Sequence, residues 1–455
     1  MSPTEQPTNP ATGNRTLATA QSELDTIVAP ATPLGRGALA IVRIDGPGSA
    51  RIVESLSGIT PEVRKATHIH LAHREETLDD CVAVRYEAPH SFTGNDLVEL
   101  TLHGSPLLVG RVIAAAVDLG ARIAEPGEFT ERAVLNGKLD LVQAESIADL
   151  INSRTALQAR LSLGNLDGVL SRRAASIREA LLHVISRLEA ALDFSEEGYE
   201  FITLDEARSR IAEAIAETYA MAKTYRRGRA TTSGLKAVIL GRPNAGKSTL
   251  LNRLVGSERA IVTPIPGTTR DIVRESIEIG GLPVSIADTA GLRSTGDLVE
   301  GIGVARAREA AAQADIVLYL VDASGGLSAE DELEQYPEAI VVYTKVDLNP
   351  APESAFGISV TAELGIDRLL ERLDQLVRDQ FAAPEGSLVN ERQLQAVLGC
   401  AEALAAALAS IDAGLDEQVI VVDLYRASTA LGLLTGTITN DEVFTEIFSK
   451  FCIGK

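Results

Sequence analysis

GRPNAGKS, Gly241 to Ser248, follows the apolar run LKAVIL and opens a stretch of helical character. In a strand–loop–helix setting these residue types suit one chemistry. The loop turns its main-chain N–H groups onto phosphate oxygens, and the helix N-terminus adds its partial positive charge. Lys247 then supplies a point charge at the β- and γ-phosphates of a nucleotide, and Ser248 a hydroxyl for Mg2+. Downstream, DTAG, Asp288 to Gly291, ends another apolar run, where a carboxylate can hold a Mg2+-bound water and a glycine N–H can approach the γ-phosphate. TKVD, Thr344 to Asp347, ends a third, AIVVY. A carboxylate at Asp347 accepts from both N1–H and N2–H of guanine, a donor pair that adenine does not offer. Taken singly, DTAG is an ordinary Asp-Gly turn and TKVD a strand-end loop; their order behind the phosphate loop makes them specific.

That order resembles the GTPase superfamily of P-loop proteins, and SVT, 359–361, matches its last guanine-binding loop. The resemblance implies nucleotide contacts from Asn244, Ala245, Gly246, Lys247, Ser248 and Thr249 in the first loop. Thr263, Pro264, Ile265, Pro266, Gly267, Thr268 and Thr269 follow in the first switch, and Asp288, Thr289, Ala290 and Gly291 in the second. Thr344, Lys345, Val346, Asp347, Ser359, Val360 and Thr361 complete the set around the base. The superfamily usually has Asn where this chain has Thr344, so a weaker contact on the N7 side of the purine is expected, with base choice kept by Asp347. The residue after DTAG is Leu292, where small signalling GTPases carry a Gln that orients the attacking water; an apolar side chain does not do this, so another group must.

These residues need elements to hold them. Between about Leu235 and Phe381 the pattern is strand, Gly-rich loop, helix, strand pair, then alternating strand and helix, which implies a mostly parallel sheet covered by helices. On either side the chain reads as helix: SIREALLHVISRLEAALDF places Ile177, Leu181, Val184, Leu188 and Leu192 on one face, and NERQLQAVLGCAEALAAALASI places Leu394, Val397, Leu398, Ala401, Leu404 and Leu408 on one stripe. Before residue 138, short apolar runs broken by Gly and Pro, with one helix ended by Gly120, read as α+β. The expected organisation is a disordered tail (1–22), an N-terminal α+β domain (23–138), a helical domain in two parts (139–233 and 384–455) and an α/β domain inserted between them (234–383).

The composition sets bounds on this plan. The 455 residues exceed a single core and fit about two to four domains. A formal net charge of -21 repels phosphate backbones at long range, so a nucleic-acid partner would need a local basic patch or a second protein. Three cysteines, Cys81, Cys400 and Cys452, are widely spaced and lack metal-site spacing, which reads as reduced and intracellular. The polar first twenty residues contain no apolar core of a secretory signal, and no run of about 18 apolar residues suggests a membrane span. A cytoplasmic protein is expected.

GRPNAGKS with TPIPGTTRD and DTAGLR…VEGIG, set within helical sequence and followed by a terminal FCIGK, is similar to the MnmE (TrmE) family of tRNA modification GTPases. The resemblance spans nearly the whole chain. It implies a multidomain fold with a folate-binding-like α+β domain and a helical bundle interrupted by a Ras-like P-loop GTPase domain. It further implies a homodimer that binds K+ at the nucleotide and hydrolyses GTP without an external activator. By motif, K+ falls to Asn244, Thr263, Ile265 and Thr268, Mg2+ to Ser248 and Thr269, and the water-orienting acid to Glu300. ATPLGRGALAIVRIDG, NDLVELTLHG and ERAVLNGKLDLVQAE match the family's folate domain and place Arg43, Glu99 and Lys138 at 5-formyl- or methylene-tetrahydrofolate, with Lys455 joining them from the C-terminus. From spacing alone Arg43 and Glu99 read as strand-edge charges and Lys138 as a helix-start charge.

The family acts with a flavin-dependent partner, MnmG (GidA), which carries FAD and uses NADH. Together they place an aminomethyl or carboxymethylaminomethyl group on C5 of the wobble uridine of certain tRNAs, and tRNA is held largely by the partner. The terminal thiol, Cys452, then has two roles open to it: a nucleophile toward uridine C6, or a positioning group. The G-domain motifs by themselves also suit a regulatory ribosome-assembly GTPase of the Era or Der kind. YRRGR, Tyr225 to Arg229, reads as a solvated linker rather than a tRNA contact, His103 as a hydrogen-bonded structural residue, and Cys81 and Cys400 as core.

Overall fold

A computed structural model describes residues 25–194, 201–257, 259–261, 276–288, 308–325, 334–352 and 355–437, together with 444, 447–449, 451 and 454. The tail expected over 1–22 lies outside the described residues. The chain divides into two compact units, Met1–Ala144 with Thr439–Lys455, and Glu145–Ile438.

The first unit is built on a six-stranded sheet formed by β1 (Ile27–Pro30), β2 (Leu39–Asp45), β3 (Thr67–His73), β4 (Glu76–Tyr86), β5 (Leu97–His103) and β6 (Arg122–Ile123), in the order β3-β4-β5-β2-β1-β6. All pairs are antiparallel except β1 with β6. Alternation along β2 decides its faces: Ala40, Val42 and Ile44 enter the main core beneath α1 (Ser49–Ser57) and α2 (Pro106–Asp118), while Arg43 and Asp45 turn to the other side. That second face carries a smaller core of Ile27, Ala29, Leu97, Ala124 and Phe129, the last from α3 (Glu128–Leu135). Cys81 is core, as its setting in an apolar run implies, and burial pushes its thiol up to about 12. His103 is hydrogen-bonded, its Nδ1 lying 2.7 Å from Asp79, while its side chain stays exposed.

From the boundary in sequence between the units, α4 (Leu141–Asn152), α5 (Ala156–Leu166), α6 (Val169–Asp193), α7 (Leu204–Ala222) and α8 (Tyr225–Ser233) lead into a second sheet. YRRGR is therefore the start of a helix and not a solvated linker. Gly228 lies against the Leu388 carbonyl, Arg227 donates to the Asp379 carbonyl at 3.0 Å, and Arg226 stacks over Phe381. One buried side chain ties the two ends of the α/β segment: Thr231 donates to the Phe381 carbonyl at 3.3 Å and accepts from the Ala383 N–H at 3.2 Å.

The α/β segment contains β7 (Leu235–Gly241), α9 (Lys247–Val255), β8 (Ser276–Ile279), β9 (Leu282–Asp288), β10 (Ile316–Asp322), β11 (Ile340–Thr344), β12 (Phe356–Gly357) and α10 (Ile366–Phe381). Strand order is β12-β11-β10-β7-β9-β8, parallel throughout except the β8–β9 hairpin. A sheet covered on both faces explains why β7 and β10 are near-continuous apolar runs. AFGISV contributes only a two-residue strand.

Two further helices, α11 (Glu391–Asp412) and α12 (Glu417–Thr435), complete a bundle with α6 and α7. The α6 stripe packs as its periodicity implies through Leu188 and fades at half-buried Leu192. On α11 the buried face is rotated from the leucine stripe. Val397, Ala401 and Leu404 are inside, with Ala396, Cys400, Ala403 and Ala407, whereas Leu394, Leu398 and Leu408 are half-buried. The reason is that α11 has two helical neighbours, α7 and α12, and small side chains let both approach. Length and composition would also allow α11 to cross a membrane; in this fold it is the helix shared by those two neighbours.

On α4, Glu145 accepts both arms of Arg392, each at 2.8 Å, and the amide of Gln393 at 2.7 Å. One turn on, burial and the neighbouring Glu145 push Asp149 up to about 7. A carboxyl raised in the folded state contributes stability below its unfolded pKa and loses it as pH rises through about 7. Asp149→Asn is therefore expected to be neutral near pH 4 and to stabilise by on the order of 1–3 kcal/mol at pH 8.5. Calorimetric midpoints across that window test this; parallel curves for the two proteins would refute it.

Candidate nucleotide site and C-terminal segment

β7 ends at Gly241, whose φ of +135° admits no side chain beside the Leu320 carbonyl of neighbouring β10. The loop then winds through left-handed Asn244 (φ +65°) and Gly246 (φ +89°) into α9. Gly246 stands at the N-cap of α9 and makes no side-chain cap bond, so no capping side chain occupies the helix N-terminus, where a phosphate would sit. Lys247 donates to the Gly241 carbonyl at 2.7 Å and the Arg242 carbonyl at 2.8 Å, which holds its ammonium over the loop. Ala245 is buried, while Asn244, Ser248 and Thr249 are exposed. The loop sits where β7 and β10 lead their connections to opposite sides, the crevice in which open α/β sheets bind ligands.

The base-side loops converge on the same end of the sheet. Buried Thr344 donates to the Ala245 carbonyl at 2.9 Å and approaches the Val321 carbonyl at 3.3 Å, joining TKVD to the phosphate loop. Lys345 adopts φ +59° and pairs with Asp322 at 2.6 Å. Burial raises the Asp322 pKa, but the bonds from Lys345 and Ser324 outweigh it and hold the carboxyl below its ordinary range. Asp347 follows, exposed, and Val346 donates its N–H to the Ile358 carbonyl at 3.3 Å. That bond brings Ser359, Val360 and Thr361 alongside; Ser359 and Thr361 share a hydrogen bond at 3.2 Å. Asp322 was not singled out from the sequence, although its place at the end of the apolar run VLYLV was the available signal.

Asp288 ends β9 with its backbone beside Ile239 of β7; its side chain is not described. Thr263, Pro264, Ile265, Pro266, Gly267, Thr268, Thr269, Thr289, Ala290, Gly291, Leu292 and Glu300 lie outside the described residues, as do Cys452 and Lys455.

In the first unit, Arg43 and Glu99 face each other across β2 and β5 and form an ion pair at 2.8 Å. Both strands are interior, so neither residue is a strand-edge charge. Arg43 also lies over the Phe92 ring, 5.1 Å from its centroid. Lys138 donates to the Pro89 carbonyl at 3.0 Å and its stem packs over Gly94, which puts it on the loop that carries Phe92. Sequence reasoning passed over the support beneath them. Asp45, fully buried, accepts from Thr93, from Asn95 at 3.1 Å and from Arg132 at 2.9 Å. Desolvation outweighs those bonds and raises its pKa. Asp45 is the last residue of β2, in the stretch RIDG.

The described part of the C-terminal segment is held in this unit by aromatics. Phe448 stacks with Phe444 at 4.9 Å and with Phe451 at 5.4 Å between centroids, and all three are buried. Phe448 lies against Gly127, where a Cβ would meet its carbonyl oxygen at 2.6 Å. Gly454 (φ +93°) lies against the Pro30 carbonyl at the end of β1.

Residues 26–138 match the model of the GTP-binding protein TrmE N-terminus, and residues 141–452 match that of the MnmE helical domain. The tRNA modification GTPase MnmE of Symbiobacterium thermophilum is 42% identical over 95% of this chain and 99% of its own length. The chain belongs to the MnmE family. The Koribacter versatilis MnmE is 40% identical over 95% of this chain and 99% of its own. Among solved structures, Aquifex aeolicus Era bound to GDP and AlF4- is 26% identical over 37% of this chain and 66% of that one, with a TM-score of 0.25. Thr344, at the position where the GTPase superfamily pattern usually has Asn, is joined to the phosphate loop.

Proposed function

We propose that this MnmE-family protein is a K+-activated GTPase. With a flavin-dependent MnmG (GidA) partner it adds an aminomethyl or carboxymethylaminomethyl group to C5 of the wobble uridine of certain tRNAs, drawing the one-carbon unit from a tetrahydrofolate. What supports the nucleotide half most directly is the meeting of Lys247, the N-terminus of α9 and the TKVD loop at one end of the sheet. In this reading the loop N–H groups and Lys247 hold the phosphates, Ser248 and Thr269 hold Mg2+, and Asp347 selects guanine. Asn244 with Thr263, Ile265 and Thr268 would hold K+, which would supply positive charge at the phosphates of the kind an arginine finger supplies. Glu300 orients the attacking water through a bridging water, which leaves Leu292 no catalytic duty.

The folate half rests on the Arg43–Glu99 pair beside Phe92, with Lys138 on the neighbouring loop. An ion pair with a ring over it offers both charges and a stacking surface to a flat, polar heterocycle; Lys455 would add a cation. FAD and NADH belong to the partner, which also carries most of the tRNA contact, in keeping with a net charge of -21. The proposed protein is a cytoplasmic homodimer.

The deciding experiment measures GTP hydrolysis in K+ and in Na+ alongside the nucleosides of tRNA from a deletion strain. K+ should stimulate at least tenfold over Na+, and the modified wobble uridine should be lost. Glu300→Ala should keep GTP affinity within about twofold and slow hydrolysis by about 100-fold or more, the scale of a lost electrostatic contribution to the transition state. Equal rates in the two salts with normal wobble uridine would remove this reading in favour of a regulatory assembly GTPase.

A further inference from the structure

The chain passes between the two units twice, after Ala144 and after Ile438. One guanidinium in the second unit holds the chain near both places. Arg392, in the first turn of α11, donates Nε to Glu145 Oε1 and Nη2 to Glu145 Oε2, each at 2.8 Å, and Glu145 is the first residue past the first crossing. Its Nη1 donates to the Leu433 carbonyl at 2.7 Å and the Leu434 carbonyl at 3.2 Å, and Nη2 reaches the Leu434 carbonyl at 3.2 Å. Arginine has five N–H groups and these are five bonds, so the fork is fully used. Leu433 and Leu434 belong to the last turn of α12, whose carbonyls have no partner inside the helix. Gly436 ends that helix and donates its N–H to the Gly432 carbonyl; the next two carbonyls fall to Arg392, a cation at the negative end of the helix dipole. Buried Gln393 adds a bond to Glu145 Oε2 at 2.7 Å. The ion pair is shielded, with the Arg392 and Glu145 side chains 20% and 11% exposed.

What leaves the two crossings gives this clasp its consequence. Lys138 stands a short connection before α4, and beyond Ile438 runs the C-terminal segment, 439–455, with Cys452 and Lys455. We propose that Arg392 is a positioning residue for tRNA modification: by clasping Glu145 to the end of α12, it holds the start of the C-terminal segment beside the chain that leads from Lys138. The proposal rests on the modifying function proposed above and concerns neither its nucleotide contacts nor its folate contacts. Lysine does not replace this arginine. An ammonium has three N–H groups and no fork, so it serves the carboxylate or the carbonyls but not both. Glu145→Gln breaks the other half, because its amide N–H2 faces a donor of Arg392 whichever way it lies, while the α12 carbonyls stay capped.

The test compares the natural full chain with Arg392→Lys and Glu145→Gln by hydrogen exchange, GTP hydrolysis and the wobble nucleosides of tRNA from cells carrying only the variant. In both variants the amides of 436–455 should exchange at least about fivefold faster, while α11 and the first turns of α12 keep their protection. The modified nucleoside should fall about tenfold or more in Arg392→Lys, the scale of a misplaced reacting group, with GTP hydrolysis within about twofold. Glu145→Gln should lower it by about threefold or more, as the loss of a charge-assisted bond implies. A residue that only stabilises the bundle gives another pattern: helix protection, thermal midpoint and both activities decline together, and that result would overturn the proposal. Unchanged exchange over 436–455, or modified nucleoside at the natural level in Arg392→Lys, would overturn it as well. If Arg392→Lys does not fold, Glu145→Gln decides on the same readouts. Absence of the modified nucleoside in cells carrying the natural protein would remove the functional reading and this role with it, a result that the exchange data tell apart from a failed clasp.

Discussion

Replacing Lys247 by Ala is expected to weaken GTP binding by about 100-fold or more while the fold stays intact. The ammonium lies over the loop, held by the carbonyls of Gly241 and Arg242, and it is the side-chain cation that the proposed site offers to the phosphate oxygens. Removing one partner of a charge-assisted contact costs about 2–5 kcal/mol, and each 1.4 kcal/mol is tenfold in affinity. The carbonyls it leaves behind are at a half-exposed site where water can replace it, so the thermal midpoint of the unliganded protein should move little. Titration calorimetry with GTP and a melting curve of the same sample check both statements. Affinity within fivefold of the natural protein would show that Lys247 does not contact the phosphates.

Gly454→Ala should abolish tRNA modification and leave GTP hydrolysis nearly unchanged. At φ +93° an alanine is strained, and its methyl would fall inside the van der Waals shell of the Pro30 carbonyl, with the Ala31 Cα 3.2 Å away. An alanine has no rotamer through which to escape, so the segment must lift from β1. Cys452 and Lys455 flank this glycine, and whichever role the thiol has, nucleophile or positioning group, it depends on where the segment rests. The aromatic cluster of Phe444, Phe448 and Phe451 remains, which confines the disturbance to the last residues. Nucleoside analysis of tRNA from cells carrying only the variant should show at least a tenfold loss of the modified nucleoside, with GTPase activity within about twofold. A Cys452→Ser variant that still modified tRNA, beside an inactive Gly454→Ala, would assign the segment a positioning role.

The phosphate loop was legible in the residues themselves because one contiguous stretch carries both its conformation and its chemistry. Gly241 and Gly246 permit the turns, and Lys247 and Ser248 ride on the helix that the loop opens. The parallel sheet was legible too, since strands buried on both faces are apolar throughout. Periodicity served α6 well and misled on α11, where two neighbouring helices bury alanines that a single-face stripe ignores. YRRGR read as a solvated linker because its charge hid the glycine that lets its helix approach Leu388.

What only the tertiary structure decided are the partnerships between distant residues. Arg43 meets Glu99 because the β2–β5 register sets them opposite, and a one-residue slip would turn Arg43 into the core. Asp45 meets Arg132, Thr344 meets Ala245, and Gly454 meets Pro30 across 87, 99 and 424 positions. No local pattern encodes such pairs, because side-chain types are specified one residue at a time while register and packing are properties of the assembled layers. The sequence by itself therefore determined which chemistry is present, a guanine-nucleotide site on a P-loop sheet in a chain that also carries an α+β domain. The folded chain decided which of those groups meet.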